Sequence, residues 1–339
     1  MQNPIQVGGV TVGPGQRETI SIRVARLYTH SELSLPVHVV HGRRQGPRLF
    51  VSAAIHGDEI CGVEIIRQLL ERKSLRQLRG TLLAVPVVNV YGFLNHSRYL
   101  PDRRDLNRSF PGSETGSLTS RVARIFMNEV VGKCTHGIDL HTGSNHRVNL
   151  PQIRAQMDDP ETARLAQAFG APVILDANLR DGSLRQAGVE RSMPILLYEA
   201  GEALRYDTDV TRIGLRGITA VMRAIGMLPQ SARPKAPTKS VVAESSTWVR
   251  APISGVLHGA VPAGTNVEKG SLLGTISDPF GQEESPVTSP VRGIVVGRLK
   301  LPLVYQGDAL FHVACLDDGV HSGVVLQQEL RPGDWTEPS

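Results

Sequence analysis

Cysteine is scarce in this chain of 339 residues: there are three, Cys61, Cys134 and Cys315. So few, so far apart and odd in number, they exclude a disulfide framework and suit a reducing compartment. Cys61, two residues beyond Glu59, reads as a small buried helix residue rather than a metal or redox group. Aromatic residues make up only 4% of the chain, which argues against a base-stacking nucleic-acid surface. Charge is only mildly unbalanced, with 37 Lys and Arg against 32 Asp and Glu. There is no basic tract interleaved with aromatics, so nucleic acid is not an expected partner. No apolar run reaches the roughly 20 residues needed to cross a bilayer, so no membrane is expected either. Residues Met1 to Gly9 lack a charged region followed by an apolar core, so no signal peptide is expected. The localisation these absences leave is the cytoplasm.

What is present is enough apolar residue, 40%, for globular packing, and a length that favours two domains. The first two-thirds alternate strand and helix patterns. Residues 20–45 are β-like, with Ile20, Ile22 and Val24 alternating with polar residues, as in a hairpin at a sheet edge. Leu49–Ile55 and Leu82–Val88 are apolar runs of strand length, and Gly137–Leu140 and Ile195–Tyr198 are shorter ones. Helical periodicity covers Ile60–Leu70, Leu118–Val131, Thr162–Phe169 and Asp209–Ile225. Such alternation predicts a mixed, mostly parallel sheet covered by helices on both faces.

The polar islands sit at the ends of those apolar runs. His56-Gly57-Asp58-Glu59 follows the first, Asp139-Leu140-His141-Thr142-Gly143 the third, and Tyr198-Glu199-Ala200-Gly201 the fourth. Asp105-Leu106-Asn107-Arg108 lies in the long loop from Asn95 to Ser117. Ligands of open α/β sheets bind outside the carboxyl ends of the strands, and His56, His141 and Glu199 each occupy such a position. Taken singly, each has an ordinary structural explanation; His-x-x-Glu alone is a weak pattern. Taken together, two His and one Glu with an open fourth position have the composition of a catalytic zinc site. Glu199 is then a free carboxylate available for proton transfer.

In these motifs and their order the chain resembles the succinylglutamate desuccinylase and aspartoacylase family of the zinc carboxypeptidase clan, over roughly residues 45–225. The resemblance implies one zinc per chain held by His56, Glu59 and His141, with Asp105 orienting His56. It implies that Asn107 and Arg108 hold a substrate carboxylate, that Arg98 polarises the scissile carbonyl, and that Glu199 is general base and then general acid. The segment Ser97–Arg104 is longer than in the aspartoacylase branch, so Arg103 and Arg104 stand as rivals to Arg98. The chemistry reads the same way from the residue types. Amide hydrolysis needs an activated water, a carboxylate to carry its proton to the leaving amine, and a fixed cation for the carbonyl oxygen. Arginine also pairs with a carboxylate through two parallel hydrogen bonds.

A boundary is expected at Pro229–Pro237, with three prolines and no apolar periodicity. The organisation expected is a hydrolase domain over 1–228, a linker over 229–240 and an all-β capping domain over 241–339. Within the last, Ala251-Pro252-Ile253-Ser254-Gly255-Val256-Leu257 is echoed by Ser289-Pro290-Val291-Arg292-Gly293-Ile294-Val295. Two such halves resemble the flattened barrel of biotinyl and lipoyl domains. The joint from Asp278 to Pro286 carries no lysine, so a swinging-arm carrier is not expected.

The function expected is a zinc-dependent amide hydrolase that removes an acyl group from an N-acyl amino acid or related small amine, with a small carboxylate-bearing amide as its partner. A metallocarboxypeptidase acting on peptides or glutamyl tails is the alternative, and a non-catalytic binding protein is disfavoured because every catalytic position is filled. A homo-oligomer is compatible with the sequence, which does not fix the oligomeric state.

Overall fold

A computed structural model describes residues 2–230 and 239–316. Most of the expected linker, residues 231–238, and the C-terminal stretch 317–339 lie outside the described residues.

Four parallel strands form the centre of a large mixed sheet, in the order Arg79–Val85, Arg44–Ala53, His136–Gly143, Ile195–Glu202. Their apolar runs are continuous because alternate residues serve two cores. Leu49, Val51 and Ala53 face a cluster shared with Leu82 and Ala84, whereas Phe50, Leu83 and Val85 belong to a second cluster. Helices Cys61–Leu70, Pro160–Phe169 and Thr208–Ala224 pack on the first face, and Leu118–Glu129 and Leu184–Val189 on the second. The hairpin expected near residues 20–45 is present as antiparallel strands Arg17–Arg26 and Glu32–His41, the latter pairing with Arg79–Val85. On the other side Arg147–Ala155 runs antiparallel to Ile195–Glu202.

Four of these five helices start where a side chain caps them; Cys61–Leu70 has no such cap. Asp159 accepts a hydrogen bond from the Thr162 amide and is followed by Pro160, so that helix begins two residues earlier than its apolar periodicity indicates. The Leu184–Val189 helix was not anticipated; at six residues it is too short to show a period.

From Val241 to Cys315 the described residues contain strands and no helix. These strands do not stand apart from the hydrolase sheet. Val241–Ala243 pairs in parallel with Val173–Asp176, and Gly293–Leu299 pairs antiparallel with Arg147–Asn149. A second, four-stranded sheet packs against this extension around Leu273, Ile276, Leu310 and Phe311. The internal echo has a packing cause. Gly255 and Gly293 begin equivalent strands, and a Cβ at either would fall on the backbone of a neighbouring strand, at Ser277 and Ala314 respectively. No helix among the described residues is long and apolar enough to cross a membrane.

Candidate metal centre and substrate cavity

His56 lies on the turn that follows Arg44–Ala53, and Glu59 stands just before the Cys61–Leu70 helix. Gly57 between them is required by space, since a Cβ there would overlap the backbone of Gly92 and Phe93. That close approach locks the turn against the segment leading to Arg98. His141 is near the end of the next parallel strand, the register partner of Glu199 on Ile195–Glu202. Ligand atoms of His56, Glu59 and His141 lie within 4.8 Å of one another, and all three residues are buried.

The hydrogen bonds around this trio are directional. His56 Nδ1 is 2.8 Å from Glu59 Oε1, and His141 Nδ1 is 2.8 Å from Glu59 Oε2. The outer nitrogens face carboxylates: His56 Nε2 is 3.1 Å from Asp105 Oδ1, and His141 Nε2 is 2.7 Å from Asp139 Oδ2. An imidazole that donates Nε2–H to a carboxylate presents an Nδ1 lone pair inward. Two such lone pairs facing the Glu59 carboxylate need positive charge between them.

The titration tendencies express the same demand. Burial works against a charged imidazole, yet the Glu59 and Asp105 carboxylates raise the pKa of His56 and those of Asp139 and Glu59 raise His141 well above the usual value. Burial likewise opposes ionisation of Glu59, and His56 and His141 overcome it, holding its carboxyl well below the usual range. Three carboxylates thus surround a place suited to two positive charges, which a divalent cation supplies as well as two protons do. The donor set of two nitrogens and one carboxylate fits a metal such as zinc.

Asp105, on the long loop, therefore sits where it was expected, against His56. Arg98 also reaches the trio. Its Nη1 lies 3.3 Å from Glu59 Oε1 and donates to Ser144 Oγ at 2.8 Å, and its Nη2 donates to Asp105 Oδ2 at 2.9 Å. The loop is tethered because the buried Asn89 side chain donates to the Arg98 carbonyl. Arg103 and Arg104 are exposed and do not line the cavity. Asn107 lines it, but its Oδ1 accepts from the Leu184 amide at 2.9 Å and so anchors the short helix. Arg108 is exposed at the rim, its Nη1 donating to the Asn107 carbonyl. Glu199 accepts from Asn149 Nδ2 at 2.6 Å, with Arg154 Nε 3.7 Å from its other oxygen.

Several residues here were not singled out from the sequence. Asp139 could have been, since i and i+2 on a strand share a face and His141 is two residues on. Asn149, Arg154, Arg180 and Arg185 carry no local signal. The three arginines gather beyond Glu199, and burial with Arg154 close by pushes Arg185 down to about 10.

The cavity measures about 950 Å³, and the all-β segment builds one wall with Trp248, Arg250 and His312. The His312 ring stacks on Trp248 at 4.5 Å and 5°, and the Arg147 guanidinium lies 5.5 Å from the Trp248 ring centre. Burial, with Arg154 and Arg180 adding to it, pushes His312 down to about 3, so an uncharged imidazole takes part in the stack.

Residues 45–225, just over half of the chain, match the family described as succinylglutamate desuccinylase/aspartoacylase catalytic domain, and the chain belongs to that family. It is 28% identical over 292 residues to an N-alpha-acetyl-L-2,4-diaminobutyric acid deacetylase of Halomonas elongata, covering 83% of this chain and 85% of that one. Among solved structures it superposes on the product-bound ectoine utilization protein EutE (DoeB) of Ruegeria pomeroyi with a TM-score of 0.81 at 22% identity, covering 93% of this chain and 100% of the other. A succinylglutamate desuccinylase/aspartoacylase of Rhodobacter sphaeroides gives 0.77 at 23% identity over 88% and 95% of the two chains. These likenesses identify the mixed α/β fold, and two of the three relatives are deacylating hydrolases by name, a deacetylase and a desuccinylase/aspartoacylase.

Proposed function

We propose that this protein is a zinc-dependent amidohydrolase that cleaves the acyl group from a small N-acyl amino acid or related amine. The observation that carries the reading is the buried His56–Glu59–His141 trio opening into a cavity that also holds Glu199 and Arg98. Zinc held by that trio, one ion per chain, supplies a Lewis acid that polarises a carbonyl and makes water nucleophilic near neutral pH.

The chain's own groups perform the rest. Glu199, fixed by Asn149 and Arg154, takes the proton of the attacking water and returns it to the leaving nitrogen, because an amine leaves poorly unprotonated. Arg98, held by Asp105 and Ser144, stabilises negative charge growing on the carbonyl oxygen. Asp105 and Asp139 fix the two imidazole rings. Arg108, beside Asn107 at the rim, grips the substrate carboxylate, and Arg154, Arg180 and Arg185 make the inner cavity attractive to an anion.

The metallocarboxypeptidase reading is the weaker one for a physical reason. The wall of Trp248 and His312 closes a side of the cavity along which a longer peptide would extend. We place the hydrolase domain at 1–228, the linker at 229–240 and the capping domain at 241–339, the last having the two-halved barrel of biotinyl and lipoyl domains. A cytoplasmic location is part of the same proposal and rests on three free cysteines, two of them buried.

The proposal is tested on a matched panel of N-acetyl and N-succinyl amino acids beside dipeptides with the same C-terminal residues, with the zinc-loaded protein. Faster release from the N-acyl amino acids is expected, and faster cleavage of the dipeptides would give the site to a carboxypeptidase. The arginine roles separate kinetically. Arg108→Lys should mainly raise KM for carboxylate-bearing substrates, and Arg98→Lys should mainly lower kcat. The reverse pattern would exchange the two assignments.

A further inference from the structure

A second cavity, of about 1020 Å³, lies apart from the one at the metal centre. It lies at the other end of the sheet, where Arg44–Ala53 and Arg79–Val85 begin. Strand Arg44–Ala53 thus connects the two cavities, roughly 30 Å of extended chain apart. The lining is strongly basic. Arg17 begins the outer hairpin strand, Arg44 begins the central one, and Arg43 immediately precedes it. Arg72, Lys73 and Arg76 come from the turn after the Cys61–Leu70 helix, and Arg79 closes the ring.

Charge accounting sets this cavity apart. Seven cations and one acid line it; the rest of the sequence holds thirty Lys and Arg against thirty-one Asp and Glu. The whole positive excess of the chain is therefore concentrated at one concave site. The single acid, Glu71, is engaged elsewhere, because Arg67 Nη1 donates to its Oε1 at 2.6 Å. Among the described residues none of the seven cations is in an ion pair. Two of them are also set against each other, since Arg44 and Arg79 are register partners on neighbouring parallel strands. Like charges directly opposite on adjacent strands destabilise a sheet, and among the described residues neither arginine has an acidic partner.

We infer that this cavity is a binding site for a small oligophosphate anion, separate from the catalytic cavity. Guanidinium groups match phosphate oxygens in pairs, and several converging on one concavity favour a multiply charged ligand over a single carboxylate. Among the described residues no Phe, Tyr or Trp lines the cavity to stack on a base, and the His41 ring there is buried and hydrogen-bonded to Thr81 and the Asn3 carbonyl. Recognition therefore falls on the phosphate chain, whether it is free or the tail of a nucleotide.

Calorimetric titration of the full chain with tripolyphosphate at low salt tests this. One anion per chain is expected, with ATP bound comparably if the source is a nucleotide and excluded if it is free oligophosphate; adenosine should not bind in either case. Arg72→Ala/Arg76→Ala, on an exposed turn outside the sheet, should weaken binding by at least about tenfold, about 1.4 kcal/mol, and leave the melting temperature without ligand unchanged. Arg26→Ala/Arg121→Ala, exposed elsewhere, should have no effect. Equal weakening by both double variants, or several anions per chain, would reduce the interaction to general ionic attraction and overturn the proposal. Loss of binding on Arg180→Ala instead would move the anion to the catalytic cavity. Affinity for a single-stranded oligonucleotide that grows with its length would replace the small ligand by nucleic acid.

Discussion

Glu199→Gln is expected to lower kcat by roughly two to four orders of magnitude, the usual range for loss of a general acid–base group, while zinc content and melting temperature stay at their normal values. The amide keeps the size of the carboxylate and its one oxygen still accepts from Asn149 Nδ2, while Arg154 Nε, at 3.7 Å, has no hydrogen bond to lose, so the Ile195–Glu202 strand has no reason to shift. What it loses is the ability to hold a proton between water and leaving amine. Glu199 does not belong to the His56–Glu59–His141 trio, so metal retention should not depend on it. Stopped turnover with full zinc separates chemistry from metal binding. A Glu199→Gln protein that turns over normally would remove this residue from the mechanism.

Replacing either imidazole should act on the metal first. His56→Ala and His141→Ala each remove one of three donors, and zinc affinity should fall by at least about two orders of magnitude, beyond the roughly 10–100-fold that an orienting partner such as Asp105 carries. Activity should fall with it. Glu59→Gln should also weaken retention, because an amide is a poorer ligand than a carboxylate. Each variant is checked by elemental analysis after dialysis, beside its melting temperature. Full zinc in both histidine variants would place the metal elsewhere.

The clustering of His56, Glu59 and His141, which could hold a metal ion, was legible in the sequence for a physical reason. A strand buried on both faces must be apolar along its length, so the first polar residues at its carboxyl end mark where the chain emerges. His56 and His141 are read at those ends, with Glu59 one turn further on. Glu199 follows by the same rule. Asn107 lies on a loop, outside that rule: its Oδ1 accepts from the Leu184 amide, 77 residues later, a contact no local pattern signals and one that leaves its Nδ2 to donate to a substrate carboxylate. The arginines beyond Glu199 come from a strand (Arg154), a loop (Arg180) and the short Leu184–Val189 helix (Arg185), and only the folded chain gathers them.

The placement of the all-β segment was the largest feature hidden from the sequence. Its strands were readable from valine-rich runs and paired glycines. Docking depends on Gly293–Leu299 finding the exposed edge of Arg147–Asn149, and a sheet edge leaves no mark on a distant segment. That pairing brings Trp248 and His312 to the cavity, where they form one of its walls.

The most direct test is a zinc titration of metal-depleted protein, with hydrolysis of the best N-acyl amino acid followed as metal is added. The account predicts no turnover without metal, a linear rise and a plateau at about one zinc per chain. It also predicts that Glu199→Gln takes up the same single zinc and stays inactive. Full turnover by the metal-depleted protein, or a plateau that the His56→Ala/His141→Ala double variant reaches at the same zinc concentration, would contradict it.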